Sequence, residues 1–161
     1  MTDRETDYVA WTQRQAAALR SLPAAKGLDA AGLADEIEGM GRLAVSKAST
    51  PLVDLLASAL FAHLEAGSEL AEPHLAEMVE RQADAAIASA HGVDRHLDLN
   101  VIWKRAGARA AKQDQRVAQE RLAEACPVSI ERLLEVDFDP YAVVAEIARC
   151  GSSAMQKSAK S

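Results

Sequence analysis

One residue in five is alanine: 34 of 161, against an aromatic content of only 4%. Alanine is the strongest helix former, and a core with few aromatics must come from Leu, Ile, Val, Met and Ala on closely approaching helices. No stretch shows sustained apolar/polar alternation bounded by turn residues, so no sheet is expected. Eight glycines and five prolines are too few for a collagenous or linker-dominated chain. The expected fold class is all-α: a compact single-domain bundle of about six or seven helices spanning residues 1–150. The small, polar residues 151–161 read as a disordered tail.

Start and stop signals divide the chain. A first helix is expected from about Asp7 to Leu22, with Tyr8, Trp11, Leu19 and Leu22 near one face. A second opens at Asp29 and carries Leu33, Ile37, Met40 and Ala44 at helical spacing. Thr50-Pro51 restarts the chain, because Thr caps well and Pro suits the first helical turn. The third helix then bears the strongest apolar stripe in the protein: Leu52, Leu55, Leu56, Ala59, Leu60, His63 and Leu64. Pro73 starts a fourth helix with Leu75, Val79, Ala83 and Ala86 inward, and Gly92 ends it in the left-handed region. Asp94 caps a fifth helix reaching about Ala123, with Gly107 marking a kink or break. Ser129 and Asp139-Pro140 begin two more, and Gly151 stops the last.

The formal net charge of −6 disfavours nucleic acid as a partner. The N-terminus lacks the basic and apolar regions of a secretory signal, and no apolar run is counted as long enough to span a membrane. The expected location is cytoplasmic, with Cys126 and Cys150 as free thiols. No cofactor is expected.

Three blocks stand in order along the chain. They are Asp7-Tyr8-Val9-Ala10-Trp11; Leu33-Ala34-Asp35-Glu36-Ile37-Glu38-Gly39-Met40-Gly41-Arg42; and Cys126-Pro127-Val128-Ser129-Ile130 running on to Asp137-Phe138-Asp139-Pro140. Over roughly residues 7–140 this resembles the bacterial domain-of-unknown-function family 29, and the acidic helix ending in Met-Gly-Arg is the most specific piece. The resemblance implies a small all-helical bacterial protein with no assigned activity. Members usually continue the His-Leu of the third helix into Lys-Trp and a basic, tryptophan-bearing stretch. Here Leu60-Phe61-Ala62-His63-Leu64 runs into Glu65-Ala66-Gly67, and residues 65–80 hold five acids and no base.

Two constellations carry the possible chemistry. Asp35, Glu36 and Glu38, with His63 from the next helix, could line an inter-helix site for a metal or for acid–base work. Set against that, the acids read as a solvated face with Glu38 tied to Arg42, and His63 as a core histidine that fixes packing. Arg105, Arg109, Lys112 and Arg116 recur as one basic stripe that could follow phosphates, with Trp103 the only aromatic neighbour. The same stripe could equally pair with the acids of 65–80 or of the second helix, or simply face water. His74, His91 and His96 lack zinc spacing. Gly39-Met40-Gly41 follows no strand, so close packing or a kink explains it better than dinucleotide binding. The favoured reading is a helical protein acting through contact with a protein partner, or as a homodimer. An enzyme or metal-binding protein and a nucleic-acid or regulatory partner are the alternatives.

Overall fold

A computed structural model describes residues 2–23, 27–120 and 122–158, with side chains as far as residue 150. Every regular element among them is helical. The helices are α1 (Asp3–Thr6), α2 (Tyr8–Arg20), α3 (Ala30–Leu64), α4 (Ala71–Ala88), α5 (Leu99–Gln113), α6 (Gln115–Gln119), α7 (Ile130–Leu133) and α8 (Pro140–Ser158). A 3-10 turn covers Val93–His96. The sequence reads as one domain; the chain's contacts form two compact units, Met1–Ala48 with Ile87–Leu97, and Ser49–Ala86 with Asp98–Ser161.

The expected restart at Thr50-Pro51 is corrected: α3 runs unbroken through Pro51. Proline forfeits one backbone hydrogen bond and disfavours the helix, but tertiary burial outweighs a local penalty of this size. The flanking Pro51, Leu52 and Val53 are all buried. The division between the two units nevertheless falls at Ala48/Ser49, two residues before the proline. Because α3 is continuous, it also contains an 18-residue window of mean hydropathy 1.2, apolar and long enough to cross a membrane by length and composition alone. The sequence reading, which split the helix, missed that window. Of that window, 56% is buried inside the protein.

The first unit packs on small side chains. Asp7 caps α2 by accepting from Ala10 N at 2.9 Å. The face that α2 buries is Val9, Thr12 and Ala16, not the bulkier Tyr8, Trp11, Leu19 and Leu22. Tyr8 and Trp11 instead stack on each other at 5.9 Å, with the Arg4 guanidinium 5.3 Å above the Trp11 ring. The first half of α3 behaves likewise, burying Ala34, Gly41 and Ala48 at seven-residue spacing. Gly41 is there for close approach: a Cβ would overlap the Thr12 hydroxyl, which donates to Val9 O at 2.7 Å. Val9, Ala48 and Val93 form the centre of this core. Gly92 takes φ +75°, as expected of a left-handed position, and a Cβ on it would collide with Thr6 O.

The second unit holds the bulky core. Leu52, Leu55, Leu56 and Leu60 of α3 are fully buried, as the stripe predicted, together with Met78, Ile102, Leu133 and Val143. Each such side chain contributes about 1.5–3 kcal/mol of hydrophobic burial. In α4 Leu75 is buried, but Met78 and Ala85 replace the expected Val79 and Ala83, and Val79 is exposed.

The expected long fifth helix is three elements. Asp98, not Asp94, caps α5, accepting from Asn100 N and Val101 N at 3.0 Å each. The break comes at Asp114, whose extended backbone ends α5 and whose side chain caps α6 through Arg116 N at 2.8 Å. Gly107 neither kinks nor breaks the helix. It is buried, and a Cβ there would lie 2.7 Å from Leu122 Cδ1, so it admits the chain returning along α5. Ser129 and Asp139 cap α7 and α8 as expected. Gly151 does not stop α8, which continues to Ser158. Of the expected tail at 151–161, residues 159–161 lie outside the described residues.

Candidate functional site

The four residues expected to share an inter-helix site lie on one helix. Asp35, Glu36 and Glu38 lie in the first unit and His63 in the second, all four on α3. The acids have a different partner, Arg20, at the end of α2. Its Nη2 donates to Asp35 Oδ1 and to Glu38 Oε2, each at 2.7 Å. The bond to Glu38 and then that to Asp35 raise the guanidinium's already high pKa. Arg42 Nη1 stands 3.7 Å from the other Glu38 oxygen, in the predicted i,i+4 relation. These pairs are solvent-exposed, so each contributes little to stability and mainly sets where the charges sit. Glu36 is exposed and makes no ion pair among the described residues. His63 is half-buried near the end of α3.

Sequence reasoning missed a second pair. His96 Nε2 lies 2.9 Å from Asp7 Oδ1, the same carboxylate that caps α2. The Ala10 N–H first, and His96 next, hold the Asp7 carboxyl below the ordinary carboxylate range. His91 lies beside it, with Nδ1 3.2 Å from Glu5 O, while its own carbonyl accepts from Tyr8 N. The two histidines thus fasten the N-terminal segment to the 3-10 turn. Asp7 immediately before Tyr8-Val9 is a capping signal, but nothing in the spacing could reveal a partner 89 residues away. A cleft of about 330 Å³ in this unit is lined by His96, Glu38, Arg42, Gln13, Thr12 and neighbouring apolar groups. Among the described residues, no three His, Cys, Asp or Glu side chains come together in a metal-binding group.

The basic stripe is divided by the break at Asp114. Arg105, Arg109 and Lys112 lie on α5 and Arg116 on α6. Arg109 Nη1 is 2.5 Å from Asp54, and Arg116 Nη2 is 2.5 Å from Glu65 and 2.7 Å from Asp114. The Glu65 pair realises the expected link to the acidic 65–80 segment. Arg105 and Lys112 remain exposed on α5. Trp103 is not available for stacking on bases: it is buried, and its indole N–H donates to Ala123 O at 2.8 Å.

A bulky apolar surface lies on the first half of α3. Leu33, Met40 and Leu43 are 46%, 49% and 54% exposed. With Ile37 and Ala44, half-buried, they make a continuous bulky face. Of the face that the sequence assigned to the core, Leu33 and Met40 are exposed while Ile37 and Ala44 are half-buried, because Ala34, Gly41 and Ala48 face inward. Ala44 also lines a hollow of about 540 Å³ with Tyr8, His91 and Ile87, and Ile87 is 77% exposed.

The chain matches the domain of unknown function DUF29 over residues 4–139. It belongs to the DUF29 family. The match runs from the second residue of α1 through α7 and takes in every site residue described above. Among solved structures, this DUF29 protein is similar to an α-helical protein of unknown function from Rhodospirillum rubrum. The two are 26% identical with a TM-score of 0.74, over 91% of this chain and 98% of the other. No curated protein matches. Neither the family nor the R. rubrum protein has an assigned function.

Proposed function

We propose that this DUF29 protein works by binding, presenting the bulky face of α3 to an apolar helix or groove of a protein partner, a different chain or a second copy. The observation that carries this reading is the outward exposure of Leu33, Met40 and Leu43 on one helical face. A helix that buries its glycine and alanines while exposing its leucines and methionine gives up hydrophobic stabilisation in the isolated chain. A partner that covers the face recovers it. The spacing 33, 37, 40, 44 alternates steps of four and three, which suits a helix laid alongside. A cytoplasmic location accords with two free cysteines, one of them exposed.

The test is a photo-crosslinking amino acid in place of Met40, introduced into the full chain in the native host. Crosslinked adducts that disappear when Leu33 and Leu43 are both changed to Glu are expected. No adduct from position 40, with the protein folded and expressed, would overturn the reading.

A further inference from the structure

We infer that the occupant of the α3 face is a second copy of this chain, docked antiparallel across a two-fold axis. This rests on the reading just given, that the face is a protein-binding surface. A two-fold interface must match itself, with residue i against j and j against i. On α3 Met40 and Leu43 are the most exposed apolar side chains of the face, at 49% and 54%. If two antiparallel copies set Met40 of each against Leu43 of the other, positions facing one another across the axis sum to 83.

That register has a consequence for charge. Glu36 and Lys47 also sum to 83, and both lie on the same side of the helix as Leu33, Met40 and Ala44 at 100° per residue. Both are exposed, and neither makes an ion pair within the chain among the described residues. The register that seats methionine on leucine therefore puts each glutamate beside the other copy's lysine, twice per dimer. Setting Met40 on Met40 would put Glu36 opposite Ala44 and leave the charges unmatched. Lys47 also explains why the face is not a uniform apolar strip: it limits pairing to one register and one direction.

In this register the paired stretch runs from 36 to 47, about 17 Å long and about 10 Å across. That is smaller than the roughly 800 Å² per partner of a stable interface, so the dimer is expected to dissociate on dilution.

Sedimentation of the purified full chain over a range from nanomolar to millimolar tests this, with Glu36→Lys, Lys47→Glu and the double swap. Expected is a concentration-dependent dimer. Each single swap creates two like-charge contacts and weakens it about tenfold, and the double swap restores it to within about threefold. High salt should narrow the differences. The swaps are at exposed positions, so folding is preserved and circular dichroism checks it. A wild-type monomer at every concentration overturns the inference, as does a double swap no tighter than the singles. If the chain is monomeric but position 40 crosslinks a different protein in the host, the binding face stands and the self-association fails. If position 40 crosslinks nothing, both fail.

Discussion

Gly39 and Gly41 are two residues apart on the same helix, yet Ala should stabilise at the first position and not at the second. Both changes gain the same helix propensity, about 1 kcal/mol relative to glycine. At Gly39 a Cβ meets only Arg42 Nη2, at 3.6 Å, which is ordinary van der Waals contact with the end of a flexible side chain. Gly39→Ala should therefore stabilise by most of that amount. At Gly41 the Cβ overlaps Thr12 Oγ1 and comes within 3.4 Å of Thr12 Cβ. Thr12 is fully buried and its hydroxyl is engaged with Val9 O, so it cannot turn away freely. Overpacking of this kind costs about 1–3 kcal/mol. Since the propensity gain cancels between the two variants, Gly41→Ala should lie about 1–3 kcal/mol below Gly39→Ala. Urea unfolding followed by circular dichroism reads both. A Gly41→Ala protein as stable as Gly39→Ala would refute the close approach of α2 and α3 on which the first unit's packing rests.

Leu56→Ala, in the fully buried stripe of α3, should cost about 2–5 kcal/mol in the same assay, and a loss below about 1 kcal/mol would contradict its burial. Asp7 contributes stability through a depressed carboxyl pKa, so its contribution is present above the ordinary value of 3.8 and lost as pH falls through the lower folded value. Asp7→Asn keeps a good cap but loses the charge opposite His96. It should be less stable than wild type near neutrality, and the gap should close below pH 3.8; a pH-independent gap would contradict the pairing. Burial pushes the Cys126 thiol up to about 11, whereas Cys150 is exposed. A thiol reagent at pH 8 should therefore label one cysteine quickly and the second only after denaturation, and two equally fast thiols would count against the packing around Cys126.

Much of the second unit was legible because its signals were strong and local. The leucines of 52–60 repeat at helical spacing with no competing face, and Ser129 and Asp139 stand where caps should be. The first unit was misread for a physical reason. Its helices carry two candidate faces, and the rule that bulky residues go inside picks Leu33, Ile37 and Met40. Ala34, Gly41 and Ala48 win because they let helices come close enough to bury Val9 and Val93. Pro51 was misread because a proline signal is local while the burial around it is tertiary. The Asp7–His96 pair and the Arg20 bridge join segments far apart in sequence, and no periodicity carries that information.

The account turns on whether the bulky face of α3 lies outside the folded chain and is covered by association. Hydroxyl-radical footprinting of Met40 against Met78, read by mass spectrometry across a dilution series, measures this directly. Met78 is fully buried and Met40 is 49% exposed in the single chain. The prediction is that Met78 stays protected at every concentration, while Met40 oxidises readily in dilute protein and becomes protected as concentration rises. A Met40 as protected as Met78 at the lowest concentration would mean that this face is core, and the account would be wrong.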